Sequence, residues 1–129
     1  MSKQAMDIDE LRSAYKRHFP IYEFINLEIL EASPLQARCS VPLLENNTNH
    51  FGTIHAAIQW AVAETLGGII CWTNFGMDTY LGVVTQVTID FKRPATTAII
   101  SEATISREEI DRLTSCLLYT SDAADEEDS

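Results

Sequence analysis

The chain has 129 residues, which is room for one domain with a modest core. A formal net charge of −10 excludes nucleic acid as the main partner, since phosphates need a basic surface. Five of the acids fall in the last eight residues, and without those five the balance is −5. Three cysteines, odd in number and far apart, fit a reduced, cytosolic setting, and no Cys or His spacing resembles a metal site. The polar N-terminus shows no secretory pattern, and Glu64 within the most apolar run disfavours a membrane span. A soluble protein with no membrane contact is expected.

An N-terminal amphipathic helix is expected within residues 1–20. Asp7, Asp9 and Glu10 are acids where a helix start prefers them, Ile8, Leu11 and Tyr15 share one face, and His18-Phe19-Pro20 ends it. Leu27 and Ile29 alternate with Glu28 up to a turn at Ala32-Ser33-Pro34. After it Leu35, Ala37, Cys39, Val41 and Leu43 alternate with Gln36, Arg38, Ser40 and Pro42. That period of two predicts a half-buried antiparallel hairpin, with Pro42 at a sheet edge or strand end. A polar loop at residues 45–49 leads into a proline-free, alanine-rich run through Trp72, which predicts a helix. Apolar side chains on nearly every face of it predict burial nearly all round, interrupted by His55, Gln59 and Glu64. A turn is expected at residues 75–78. Thr85, Val87, Ile89 and Phe91 then alternate with Gln86, Thr88, Asp90 and Lys92 in a predicted long strand that Pro94 stops. Residues 98–106 predict another strand and residues 107–113 a short helical turn. Helix, two strands, buried helix and two strands together predict an α+β domain, an antiparallel sheet curled round one central helix.

Residues 44–94 resemble hotdog-fold acyl-CoA thioesterases of the phenylacetate-pathway type. In that family an Asn, a Gly and a His-Gly-Gly sequence open the helix and an acid follows within it. Asn49, Gly52, His55-Ala56-Ala57 and Glu64 take those places, with Glu for Asp and alanine for both glycines. The similarity spans residues 24–115. It implies hydrolysis of acyl-CoA or acyl-carrier thioesters by a homodimer or dimer of dimers, with no cofactor and no metal. The site residues would then be Asn49, His55 and Glu64 for catalysis and Gly52, Ala56 and Ala57 against the substrate. Gln59, and Thr85 and Gln86 on the following strand, are further candidates for substrate contact.

Such hydrolysis needs a water, a base for it and donors for the developing oxyanion. A helix start presents free N–H groups, which Ala56 and Ala57 can supply as glycines would. One such donor is worth about a hundred- to a thousand-fold in rate. Glu64, a carboxylate in an apolar helix, suits a base or nucleophile. Nine positions separate His55 from Glu64, and at about 3.6 residues per turn they point to opposite faces. A site shared between two copies resolves this, so activity is expected to require dimers.

Structural readings stand beside these roles. Glu64 could pair with Arg38, Lys92 or Arg93, His55 could hydrogen-bond its loop, Asn49 could cap it, and Gln59 could bond within the core. A second enzymatic reading is a hydroxyacyl dehydratase of the same fold, for which His50-Phe51 and Glu64 have compatible spacing although the Pro-Gly helix start is missing. A third is a non-catalytic acyl-binding module. From Cys116 the chain resembles the translation of a sequencing-library adapter. The expected organisation is therefore a helix at 1–20, a partial hotdog domain at 21–115 lacking its last two strands, and a non-native or disordered acidic tail at 116–129.

Overall fold

The computed structural model of the chain describes residues 7–76, 78 and 82–128, with side chains described as far as Leu117. The first helix, α1, spans Ile8–His18. Asp7 caps it by accepting the Glu10 N–H at 2.8 Å, and Lys16, Arg17 and His18 complement the dipole in the last turn. Leu11, Ala14 and Tyr15 form its buried face, and residues 1–6 of the expected N-terminal unit lie outside the described residues. The expected stop holds, but the same proline opens a second, unforeseen helix, α2, over Pro20–Phe24. Proline's fixed φ suits a first helical position, so one residue closes α1 and starts α2. Asn26, at a φ of 58°, then reverses the chain.

The hairpin is as expected. Strands β1 (Glu28–Ala32) and β2 (Gln36–Val41) pair antiparallel. Ser33 makes the turn, its N–H donating to Gln36 O and its hydroxyl accepting the Gln36 N–H. Ala37, Cys39 and Val41 are fully buried, the alternation their spacing predicts. The register slips between Ile29 and Glu31, a bulge at Leu30. There the Arg12 guanidinium donates to Ile29 O from Nη2 at 2.7 Å and from Nε at 3.1 Å, covering this outer strand. Strand β3 (Ile99–Thr104) falls within the predicted stretch and lies antiparallel on the other side of β2, which is therefore the middle strand.

The central helix, α3, runs Ala56–Phe75. Ser101 of β3 fastens it by donating to Val62 O at 2.6 Å. At the far end Thr73 donates to Ser33 O and Asn74 to Pro34 O, and Gly76 at a φ of 76° closes the helix onto Trp72 O. Burial is narrower than its composition suggests. Val62, Thr65, Leu66, Ile69, Ile70 and Thr73 are buried, whereas Gly67, Gly68 and Cys71 are exposed. Three strands cover one side of the helix and α1 covers another through Tyr15, so a full apolar circumference finds neighbours on only part of itself. The turn expected at 75–78 includes Met77, which lies outside the described residues.

The predicted strand through Thr85 and Phe91 is a correction. Residues 82–92 are exposed and form no ladder with another described residue, leaving Val83, Val84, Val87, Ile89 and Phe91 uncovered. Alternation selects a face, but a strand also needs a neighbour to bond, and neither edge of the three-stranded sheet takes this one. The last helix, α4, spans Arg107–Asp128 and includes the predicted short turn as its first part, with Ile110 buried. The backbone of residues 116–128 continues this helix, and Ser129 lies outside the described residues. Among the described residues no helix is long and apolar enough to cross a membrane.

Candidate active site

The loop before α3 is held from both sides. Asn47 is fully buried, and its amide nitrogen donates to Ile25 O and Pro42 O. Its backbone oxygen accepts the His55 N–H at 2.8 Å. Its side-chain oxygen has no partner among the described residues. Ile54, 1 % exposed, anchors the other side by donating to Ala95 O and bridging Thr48. Between these anchors Asn49 organises the turn. Its Oδ1 accepts from the Phe51 N–H at 2.9 Å and the Thr53 N–H at 3.1 Å, and its amide meets the Thr53 hydroxyl at 2.8 Å. Gly52 follows at a φ of 78°, a conformation that disfavours a side chain. Asn49 and Gly52 thus shape the backbone that presents the helix start. His50 and Phe51, exposed, rest ring against ring at 3.9 Å.

At the helix start His55 is the cap. Its Nδ1 accepts the Ala57 N–H at 3.0 Å, which places the proton of the neutral ring on Nε2. Its backbone oxygen takes the Ile58 and Gln59 N–H groups. One helix-start amide is left: the Ala56 N–H has no partner among the described residues, and Ala56 is exposed. The half-buried Gln59 donates its side-chain amide to Ile54 O at 3.2 Å, bracing the same turn.

Glu64 lies on another face of α3, half-buried, and its partner is the Tyr22 hydroxyl, which donates to Oε2 at 3.2 Å. The cation pairings considered from the sequence do not form among the described residues. Arg38 Nε instead lies 3.2 Å from Glu102 Oε2, near enough for an ion pair though not aligned as a hydrogen bond, and Lys92 and Arg93 are exposed. Beside Glu64, the buried Thr65 shares a hydrogen bond of 2.5 Å with the Tyr15 hydroxyl. Burial pushes the phenols of Tyr15 and Tyr22 up from their ordinary value, and the Glu64 charge adds to both shifts. Burial also holds the Cys39 thiol up at about 12. A cleft of about 800 Å³ opens beside the tyrosines, between Arg12, Leu30, Val41 and Leu44.

One copy of the chain therefore brings Asn49, Gly52, His55, Ala56, Ala57 and Gln59 together at the helix start. Glu64 sits nine residues further on, about 13 Å along the axis at 1.5 Å per residue. Thr85 and Gln86 are exposed in the unpaired stretch and make no hydrogen bond to the helix start among the described residues. Asn47, Tyr22 and Thr65 were not singled out from the sequence. Asn47 sat unremarked in the polar loop, and no local spacing links Tyr22 to a residue 42 positions away.

The fold has known counterparts. The chain belongs to the family described as Domain of unknown function (DUF4442), whose model matches residues 9–127. The architecture is the hotdog fold of thioesterase-superfamily proteins. One similar structure is a Pseudomonas aeruginosa protein of unknown function described as "Probable Thioesterase" (25% identity, TM-score 0.76, covering 88% of this chain and 76% of that one). Another is mouse thioesterase superfamily member 2 (21%, 0.63, 83% and 77%). A third is a mutant of the phenylacetic acid degradation protein PaaI from Thermus thermophilus (19%, 0.56, 68% and 76%). No curated protein matches the sequence.

Proposed function

We propose that the protein hydrolyses acyl thioesters, of coenzyme A or of an acyl carrier. The observation that carries this reading is the Ala56 N–H, without a partner among the described residues and exposed at the start of the 20-residue helix α3. An N–H at a helix's positive end stabilises the oxyanion that forms when water adds to a thioester carbonyl. Glu64 takes the proton of that water. Collapse of the adduct breaks the C–S bond, and the thiolate leaves and is protonated, giving a carboxylic acid and a free thiol. The two ends of this machinery face apart on one helix, so the base is supplied by a second copy of the chain. The free cysteines Cys39, Cys71 and Cys116 suit a reducing compartment, and we place the activity in the cytosol.

A panel of acyl-CoA substrates assayed for free thiol tests the reading. Thiol release is expected and should fall by about a hundred- to ten-thousand-fold in Glu64→Gln. Acyl binding without turnover would instead establish a binding module, and hydration of an enoyl thioester a dehydratase. Sedimentation run alongside the assay checks the second copy: turnover by a monomer refutes the shared site.

A further inference from the structure

We propose that Tyr22, carried on α2, is a positioning residue for the α3 carboxylate, its hydroxyl holding Glu64 Oε2 and fixing how the base is presented. This rests on the reading of Glu64 as the base. Tyr22 is itself held on two sides. Its ring stacks on Tyr15 at 5.4 Å and 23°, and meets Phe19 at 5.1 Å. Phe19 stacks on Trp72 of α3, and Tyr15 touches the same indole edge-on while its hydroxyl is tied to Thr65. The four rings form a buttress from α1 and α2 onto α3 that sets where the Tyr22 hydroxyl lies. Glu64 has no other hydrogen-bond or ion-pair partner among the described residues, so one carboxylate oxygen is held and the other is left to meet water. That is the division a general base needs: one oxygen for orientation, one for the proton.

The titratable groups near the carboxylate are few. Tyr22 reaches it from α2 and Tyr15 interacts with it from α1, while Cys39 of β2 interacts with the two tyrosines. Removing the donor frees the carboxylate to rotate, which misplaces the base.

The test is Tyr22→Phe in the full chain, which keeps the ring and removes the hydroxyl. The kcat at neutral pH should fall about ten- to a hundred-fold with KM within about twofold. At a fixed neutral pH the Glu64 carboxyl carbon-13 resonance should shift from its position in the unsubstituted chain, a readout independent of turnover that a tyrosine making no such bond would leave unmoved. An unmoved resonance and an unchanged kcat, with thiol release still abolished in Glu64→Gln, overturn the role of Tyr22 and leave the thioesterase reading standing. Full thiol release by Glu64→Gln overturns both. Should Tyr22→Phe fail to fold, the unsubstituted protein decides: exchanging the Tyr22 hydroxyl proton for deuterium must shift the Glu64 carboxyl carbon, and no shift defeats the proposal.

Discussion

Residues 36–41 and residues 85–91 carry the same signal, apolar side chains at every second position, and meet opposite fates. The first stretch is β2, bonded on both sides, with Ala37, Cys39 and Val41 at zero exposure. The second forms no ladder among the described residues and is bare, with Val87, Ile89 and Phe91 between 38% and 49% exposed. Ser33 locks the first to its hairpin partner within three residues, and Ser101 reaches across from β3 to pin the helix beneath. Nothing local does this for the second. A pattern of two states which face seeks burial; the partner comes from topology, and topology is not written in the alternation.

The largest expected effect separates the two stretches directly. Val41→Asp buries an unpaired charge and should cost more than about 4 kcal/mol, enough to abolish folding, whereas Val87→Asp should stay within about 0.5 kcal/mol. Urea unfolding monitored by tryptophan fluorescence measures both, and equal losses would erase the distinction. Next comes the anchor of α1. Tyr15→Phe takes from the buried Thr65 hydroxyl its bond to Tyr15 and should lose about 1–3 kcal/mol, while Tyr15→Phe with Thr65→Val should recover most of it. A double-mutant cycle that is strictly additive would show that the tyrosine acts by packing alone.

The third effect concerns pH. The Cys39 thiol is raised by burial from 9.0 to about 12, and Tyr15 is raised as well. The folded state therefore holds protons that the unfolded chain releases, so stability is intact below about pH 9 and falls as pH climbs toward 12. Cys39→Val should flatten part of that slope, Tyr15 keeping the remainder, and denaturant midpoints between pH 8 and about 11 would show it. The smallest effect is at the helix start. His55→Ala removes an exposed cap and should cost about 0.5–1 kcal/mol, with His55→Asn restoring most of it. Thermal melts resolve that difference.

The hairpin, β3 and α3 were legible because each declares itself locally, by period, turn residue or length. Two misreadings share one cause. The helix looked buried all round and residues 85–91 looked like a strand because apolar content was read as contact, and both present surface that finds no cover among the described residues. The family resemblance singled out Asn49, Gly52 and His55, which the fold gathers at the start of α3. What their side chains do was not legible: Asn49 and His55 serve the backbone first, and only geometry reveals that the Ala57 N–H is occupied while that of Ala56 has no partner among the described residues. Tyr22 lay beyond reach because its link to Glu64 passes through the packing of four rings and not through any spacing along the chain.

The guanidinium on Ile29 O, beside the bulge at Leu30, gives the sheet a direction. One border is stoppered by Arg12, while the outer side of β3 carries no such plug among the described residues. Endless edge-to-edge stacking of sheets needs two adhesive margins, and a covered one breaks the series. Arg12 is thereby a guard against fibre growth.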